Sequence, residues 1–413
     1  MTNEISAKQQ SRNYWIVFTC MFLQAIPFGV AQNIQPLFIP YVTKSFGFTL
    51  GAFSLIFTVG ALASAVCSPF LGKLFGKVPI KILFLVGTLL SALGFLGFGF
   101  ATSLPQFYLF SAISQVGCVL FSGLGVPYVI NNWFPSTGRG KALGIAFSGG
   151  SIGNIFLQPL TSTLLASKGV QFSYIAFGLI SIIASLPVVL FLIRLPKPNE
   201  VQAPEQGKQT PQQGELTGPG IKETLQNTYF WLFSISYAII AIAISALSTQ
   251  YATYFTNDLN LDAGLVGILG STFALFCLFG NVGGGALFDK IGTLKTMSIS
   301  FVLSIIAIIG LLLSGNISQL AFLFSVAYGL NVYSYMSAPA FMASDVFGKK
   351  ESSVKLGIIS LLFACGFALG STLFGFVVDH YGFRAGWIFV LSCVVLGYVL
   401  LLSSIVRVKK HAK

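Results

Sequence analysis

The chain has 413 residues, of which 55% are hydrophobic and only 8% are charged. Soluble globular domains usually carry about 25% charged residues, so the composition excludes that class and indicates a protein that crosses a membrane several times. The net charge of +12 could suggest nucleic-acid binding. However, the basic residues lie in the loops between apolar stretches, which is typical of membrane topology, and we predict no nucleic-acid partner.

Apolar stretches whose interiors lack charged residues predict twelve transmembrane helices. They run approximately over 14–42, 50–72, 79–101, 104–131, 140–166, 172–193, 228–256, 263–288, 296–315, 317–344, 355–378 and 385–406. The even number of spans places both termini on one side of the membrane. Twenty of the 23 Lys and Arg residues fall on that side, and only Lys44, Lys168 and Arg384 fall on the other. The positive-inside rule therefore predicts cytoplasmic termini.

An internal repeat divides the chain. A gapless self-comparison at an offset of 213 pairs Gly72 with Gly285 and Gly169 with Gly382, at equivalent helix ends. Two six-helix halves related as parallel repeats follow from this pattern. We predict an N-terminal half over 1–194, a Pro- and Gln-rich cytoplasmic linker over 195–227, and a C-terminal half over 228–413.

The stretch from 131 to 154 ends one span and begins a glycine-rich one. Gly140, Gly144, Gly149 and Gly153 form two i, i+4 pairs, which predicts close packing of this helix on a neighbour. The residues Trp133-Phe134, Arg139-Gly140 and 142–153 resemble the helix 4 to 5 signature of monocarboxylate and oxalate/formate transporters, a branch of the major facilitator superfamily. The stretch 225–231 is similar to the start of the second half in bacterial members. The resemblance implies the all-α major facilitator fold, alternating access and a bacterial plasma membrane.

A cytoplasmic loop after helix 8 carries a second motif of that superfamily. Gly285, Asp289 and Lys290 match its loop signature, whereas Gly76 replaces the acidic residue in the first half. The resemblance implies that Asp289 packs against the start of helix 5 at Arg139 and stabilises the state that is closed on the cytoplasmic side. The helix N-terminus and the guanidinium would each favour the carboxylate.

Polar residues inside the spans are candidates for the substrate site. The resemblance implies that helices 1, 4, 7 and 10 line the path. Gln24, Gln32 and Gln35 fall within one arc of helix 1 if each residue turns by about 100°. The remaining candidates are Gln115, Asn154, Asn281, Tyr328, Asn331 and Tyr335. The alternative interpretation is that these side chains only form hydrogen bonds between helices.

Missing charges restrict the substrates that the resemblance implies. No Asp, Glu, Lys, Arg or His lies in the apolar interior of a span. Asn281 aligns with the arginine that binds the carboxylate in the resembled branch, and Phe363 aligns with the lysine of oxalate exchangers. Because of the resemblance we place a small monocarboxylate first. The missing arginine and lysine disfavour oxalate exchange, and a neutral or amphipathic metabolite, or a drug, is the alternative.

Other functional classes are less well supported. A membrane sensor without transport activity is the alternative class of protein. An enzyme is not expected, since the chain has no HExxH motif, Walker-type loop or CxxC spacing. No cofactor or metal is predicted, and the expected partners are a small organic solute and membrane lipids around a monomer.

Overall fold

The computed structural model describes residues 14–134, 139–196, 219–348 and 350–411, and these are almost entirely helical. The first six transmembrane helices are α1 Tyr14–Phe46, α2 Leu50–Gly72, α3 Ile80–Gly97, α4 Leu104–Trp133, α5 Arg139–Lys168 and α6 Val170–Leu192. A short helix, Ile221–Gln226, precedes α7, Thr228–Asp258.

The remaining helices include two long continuous runs. Ala263–Ser314 has non-helical backbone at Gly292, which separates α8 (263–291) from α9 (293–314). In the same way, Gly382 divides Ser352–His411 into α11 (352–381) and α12 (383–411). Between them, α10 consists of three pieces, Ala321–Leu330, Tyr333–Met336 and Ala338–Phe347.

Eight of the described helices are long and apolar enough to cross a membrane by length and composition. Two of these eight are the continuous runs with an internal break, and each holds two spans. The described part of the chain adds α5 and the discontinuous α10, so the prediction of twelve transmembrane helices is confirmed.

The helix breaks repeat between the two halves of the sequence. Gly169, between α5 and α6, has a φ of 79°, and Gly382, between α11 and α12, has a φ of 78°. These two glycines are 213 residues apart, the offset of the internal repeat. A residue with a side chain rarely adopts this left-handed conformation, so glycine permits the sharp turn at both positions.

Contacts group the described residues into two compact units. The first comprises 14–46 and 59–196, and the second comprises 47–58 with the described residues from 219 onward. The division falls inside α2, whose first turns belong to the second unit. Most of the predicted linker, 197–218, lies outside the described residues, and the proposed domain limits stay a prediction.

Close helix packing within each unit relies on glycine. A Cβ atom on Gly153 would lie 2.2 Å from the carbonyl oxygen of Ala25, so α5 contacts the backbone of α1, as it does at Gly149. In the second unit, Gly366 of α11 faces the Ala238 carbonyl of α7 in the same manner. The packing prediction was wrong for Gly140 and Gly144, which have no atom within 4 Å of such a Cβ.

Candidate substrate-binding site

Two helices of the first unit depart from α-helical geometry midway along their length. Helix α1 is a π-helix over Gln24–Asn33, a segment that contains Pro27, and α4 is a π-helix over Val119–Gly125. Proline cannot donate a backbone hydrogen bond, which favours such an irregularity. Because π segments are rare and frequently mark functional sites, these two make α1 and α4 candidate helices of this unit. Helix α6 also ends in a π segment, Val188–Leu192.

A pair of buried polar side chains joins the two π segments. The Gln24 amide Nε2 donates to the Ser122 hydroxyl over 2.7 Å, and that hydroxyl lies 3.0 Å from the Gln24 Oε1. Gln24 is 1% exposed and Ser122 is 2% exposed. The pair therefore fixes α1 against α4, as the inter-helix interpretation expects, and its polar groups satisfy one another.

The second pair on the same helices is more accessible. Gln32 donates through Nε2 to the Oε1 of Gln115, and both side chains are half-buried. Gly60 of α2 lies against Gln115, since a Cβ on Gly60 would come within 2.5 Å of the Gln115 Cγ. Each amide keeps further donors or acceptors beyond this one bond, so the pair can bind a polar solute without leaving a buried group unsatisfied.

Gln35 does not share the environment of Gln24 and Gln32. Its amide donates to the Tyr174 hydroxyl of α6 over 3.2 Å, and its side chain is 4% exposed. Tyr174 in turn stacks on Phe38 with ring centroids 4.0 Å apart. The prediction of one common arc assumed a regular α-helix. The π segment has more residues per turn, so the register of α1 beyond it is shifted.

In the described part of the chain, Asn154 on α5 is a buried amide with one unpaired polar atom. It is 7% exposed, and within the described residues its Oδ1 atom has no hydrogen-bond partner. Its neighbour Gly153 packs on the backbone of α1, which holds Asn154 near that helix. Other buried side chains of the described residues, Gln35 among them, also have an unpaired polar atom. The free oxygen is therefore compatible with a ligand-binding role for Asn154 but does not by itself distinguish it.

The predicted stripe on α10 is divided by the break in that helix. The Tyr328 hydroxyl donates to the Ile244 carbonyl and lies 2.5 Å from the Ser248 hydroxyl, both on α7. Tyr335, after the break, is half-buried with its ring centroid 6.5 Å from that of Tyr328.

Asn331 lies at the break itself and is 1% exposed. It accepts from the Ser300 hydroxyl over 2.6 Å and donates to the Ser304 hydroxyl over 2.9 Å, both on α9. This placement matches the inter-helix interpretation, because the amide oxygen and the amide nitrogen are both engaged within the unit.

Uncharged residues, Asn281 and Phe363, take the two positions where the resembled branch has cations. Phe363 of α11 lies against Tyr237 of α7, with ring centroids 4.9 Å apart. Tyr237 donates its hydroxyl to the Ser334 carbonyl over 2.6 Å and is fully buried. Asn281 of α8 is half-buried. The second unit thus offers an amide and aromatic rings at these positions.

The predicted gating residues lie at helix ends. Arg139 is half-buried at the start of α5, in the first unit. Gly285 is half-buried near the end of α8, and Asp289 and Lys290 are exposed there, in the second unit. The cytoplasmic gate stays a prediction.

One polar network was missed by the sequence analysis. The Asp379 carboxylate of α11 accepts from the backbone N–H groups of Leu50 and Gly51 over 2.8 and 2.7 Å, at the start of α2. Further along, the Gln250 amide donates to the hydroxyls of Ser54 and Ser371. An isolated acidic residue at the end of an apolar span was the available signal, but only the fold reveals which helix N-terminus it caps.

Comparisons with known proteins agree with this architecture. A model of the Major Facilitator Superfamily matches residues 17–256 and 233–413. The oxalate:formate antiporter of Oxalobacter formigenes is 25% identical over 385 residues, covering 91% of this chain and 88% of that protein. The multidrug resistance protein MdtG of Citrobacter koseri is 25% identical over 401 residues, covering 94% and 92%.

Solved structures share the fold at low sequence identity. The nucleoside transporter NupG superposes with a TM-score of 0.75 and 15% identity, covering 95% of this chain and 99% of that one. A bacterial homolog of the human lysosomal transporter Spinster, in an inward-facing and occupied conformation, gives a TM-score of 0.74 and 13% identity, covering 96% and 97%.

Proposed function

Because the chain belongs to the Major Facilitator Superfamily, we propose that it is a secondary transporter of a small neutral or amphipathic organic solute that works by alternating access. The observation that carries this proposal is the half-buried amide pair of Gln32 and Gln115. This pair supplies uncharged hydrogen-bond donors and acceptors on α1 and α4, close to the π segments of these two helices. Asn154 contributes a further acceptor in the same unit.

The second unit supports the same substrate class. Tyr335 and Asn281 are half-buried. Phe363, which aligns with the lysine of the resembled branch, packs against the Tyr237 ring. Aromatic rings and amides bind an uncharged or amphipathic solute with little desolvation cost. A fully ionised carboxylate would leave water without gaining a charged partner from these residues. Relatives named as multidrug resistance proteins are consistent with this choice.

A small monocarboxylate is the second candidate, and one finding favours it. The oxalate:formate antiporter is similar over 91% of this chain. The amide N–H groups of Gln32 and Gln115, in the first unit, can donate to a carboxylate, although each such bond is weaker than one from arginine. This candidate predicts weak binding of acetate-sized or lactate-sized anions and no binding of the oxalate dianion.

The test is uptake by the purified full-length protein in liposomes. Labelled nucleosides, lipophilic cations and monocarboxylates are offered, after a thermal-shift screen has selected the solutes that stabilise the protein. Accumulation or exchange of an uncharged or amphipathic solute supports the proposal. Transport of monocarboxylates alone supports the second candidate, and binding without any transport would indicate a sensor.

The topology is proposed together with the function. We infer that both termini are cytoplasmic in a bacterial plasma membrane, because the basic residues concentrate on that side. The test starts from a variant in which the six native cysteines are replaced. Single cysteines are then introduced and labelled with a thiol reagent that cannot cross the membrane. A cysteine that replaces Lys168 should be labelled from the outside of intact cells. Labelling of a cysteine that replaces Lys141 from the outside would contradict the proposed topology.

A further inference from the structure

Helix α5 is bonded to α1 at the residue where the π segment of α1 ends. The Gln158 amide of α5 donates through Nε2 to the Asn33 carbonyl over 3.1 Å, and Gln158 is 1% exposed. In the other direction, the Asn33 amide donates through Nδ2 to the Gly150 carbonyl over 3.3 Å. Side chains from both helices therefore hold this end of the π segment against α5.

The Asn33 carbonyl lies at a change in the backbone hydrogen-bond pattern of α1. The Ile34 N–H bonds five residues back to the Gly29 carbonyl over 3.1 Å, as in a π-helix. In a regular α-helix the Leu37 N–H would bond to the Asn33 carbonyl, but here it bonds to the Ile34 carbonyl over 3.0 Å. Because an unsatisfied carbonyl is costly inside a membrane, the Gln158 amide stabilises α1 in this irregular conformation.

The irregular conformation determines where Gln32 lies. Before the π segment ends, α1 is fixed to α5 by the close contact of Gly153 with the Ala25 carbonyl. If the π segment relaxed to a regular α-helix, the residues at its end would turn relative to Ala25 by about 100°, the rotation of one residue. Gln32, which directly precedes Asn33, would then turn away from Gln115.

These contacts assign a role to a residue that does not belong to the amide pair. We propose that Gln158 is a positioning residue for the transported solute, because its bond to the Asn33 carbonyl holds α1 in the register in which Gln32 meets Gln115. The inference rests on the proposed function, in which that pair binds the solute. Gln158 acts through the backbone of α1, so its removal should weaken solute binding only as long as Gln32 is present.

Two substitutions on α5 separate this role from a general effect on the helix. Q158M keeps the unbranched shape of glutamine and removes the N–H donor. T161V is the matched control, since Thr161 is fully buried close by on α5 and its hydroxyl donates to the Leu157 carbonyl of the same helix over 2.6 Å.

The experiment uses the purified full-length protein and two measurements. Hydrogen exchange over 29–37 reports on the end of the π segment without any solute. Uptake into liposomes of labelled uridine, which is uncharged, and of tetraphenylphosphonium, which is amphipathic, gives KM and kcat. We expect Q158M to exchange faster over 29–37 and to raise KM about fivefold, the effect of one hydrogen bond, with kcat little changed. T161V should leave the exchange and KM as they are.

A double variant tests whether Gln158 acts through Gln32. In a Q32L background, Q158M should cause no further rise in KM, because the residue that it positions is already missing. Independent effects of Q158M and Q32L on KM would overturn the proposal, as would equal changes in Q158M and T161V.

The exchange measurement separates this inference from the proposed function. Wild-type exchange over 29–37 in Q158M would overturn the positioning role whether or not either probe is transported. If neither probe is transported, the proposed function loses its support, whereas faster exchange in Q158M alone would still support the register of α1. Should Q158M fail to fold, N33A removes the bond to the Gly150 carbonyl at a half-buried position and must still speed exchange over 29–37.

Discussion

At the scale of single residues, glutamines of the same helix have different roles because their neighbours differ. Gln32 bonds to Gln115 in a half-buried position, whereas Gln35 is buried against Tyr174. A substitution of Gln115 should thus affect a bound solute, and a substitution of Gln35 should affect the folded state.

We expect Q115L to raise the KM for the transported solute at least about tenfold, as the loss of one or two hydrogen bonds predicts, with little change in the unfolding temperature. Q35L should do the opposite, lowering the unfolding temperature while leaving KM unchanged. Uptake and thermal unfolding of both purified variants are compared. If Q115L transports normally, the Gln32–Gln115 pair is structural only.

Asn331 is expected to act on stability. N331L removes two hydrogen bonds and leaves the Ser300 and Ser304 hydroxyls with one fewer partner each. Inter-helix hydrogen bonds in membranes average about 0.6 kcal/mol each, so the variant should lose roughly 1 kcal/mol. Unfolding in a denaturing detergent measures this loss. A variant of wild-type stability that has lost transport would instead place Asn331 in the substrate site.

At the scale of helices, glycine determines which pairs approach closely. Gly153 and Gly366 each face a backbone carbonyl of the neighbouring helix, at 2.2 and 2.1 Å from the position of a Cβ. Backbone cannot move aside as a flexible side chain can, so G153A and G366A should each force the two helices apart at a cost of about 1–3 kcal/mol. Gly144 provides the control.

G144A introduces the same methyl group on α5, where nothing lies within 4 Å. It should leave stability unchanged or raise it slightly, because alanine favours a helix interior over glycine. The unfolding temperatures of the three purified variants test the comparison. Equal effects of G144A and G153A would show that the close approach of α5 to α1 does not contribute to stability.

The start of α2 is held by a residue from α11. D379N keeps an acceptor oxygen but removes the negative charge opposite the backbone N–H groups of Leu50 and Gly51. Anions are favoured at helix N-termini, so the first turns of α2 should open more often. Hydrogen exchange over 47–58 should therefore become faster. D262N, which changes the cap of α8 at the Gly264 N–H, should leave exchange over 47–58 as it is.

At the scale of the whole molecule, the distribution of charge predicts the energetics of transport. The interiors of the predicted spans contain no Asp, Glu, Lys, Arg or His. Proton-driven carriers commonly hold such residues there, so uptake of a non-ionisable solute should respond little to an imposed pH gradient. Uptake into liposomes with and without the gradient is the measurement. Steep accumulation driven by the gradient would contradict this prediction and would require a carboxylate at a helix end to carry the proton.

The sequence by itself determined the class of protein, the number of spans and the internal repeat. These properties depend on how apolar stretches of about 20 residues alternate with charged loops, which is local information. Gly169 and Gly382 were paired by the repeat and prove to be equivalent turns. The close packing at Gly149 and Gly153 also followed from residue spacing, because i, i+4 glycines lie on one helix face.

Only the tertiary structure decided which hydrogen-bond partner each polar residue has. The π segment in α1 shifted Gln35 to a different neighbour from Gln32, and a prediction that assumes regular helical rotation cannot include such a shift. The break in α10 placed Asn331 among serines of α9, and Asp379 bonds to backbone more than 300 residues away in sequence. In a membrane, polar side chains bond to whichever partner the fold brings near, and that partner is not encoded locally.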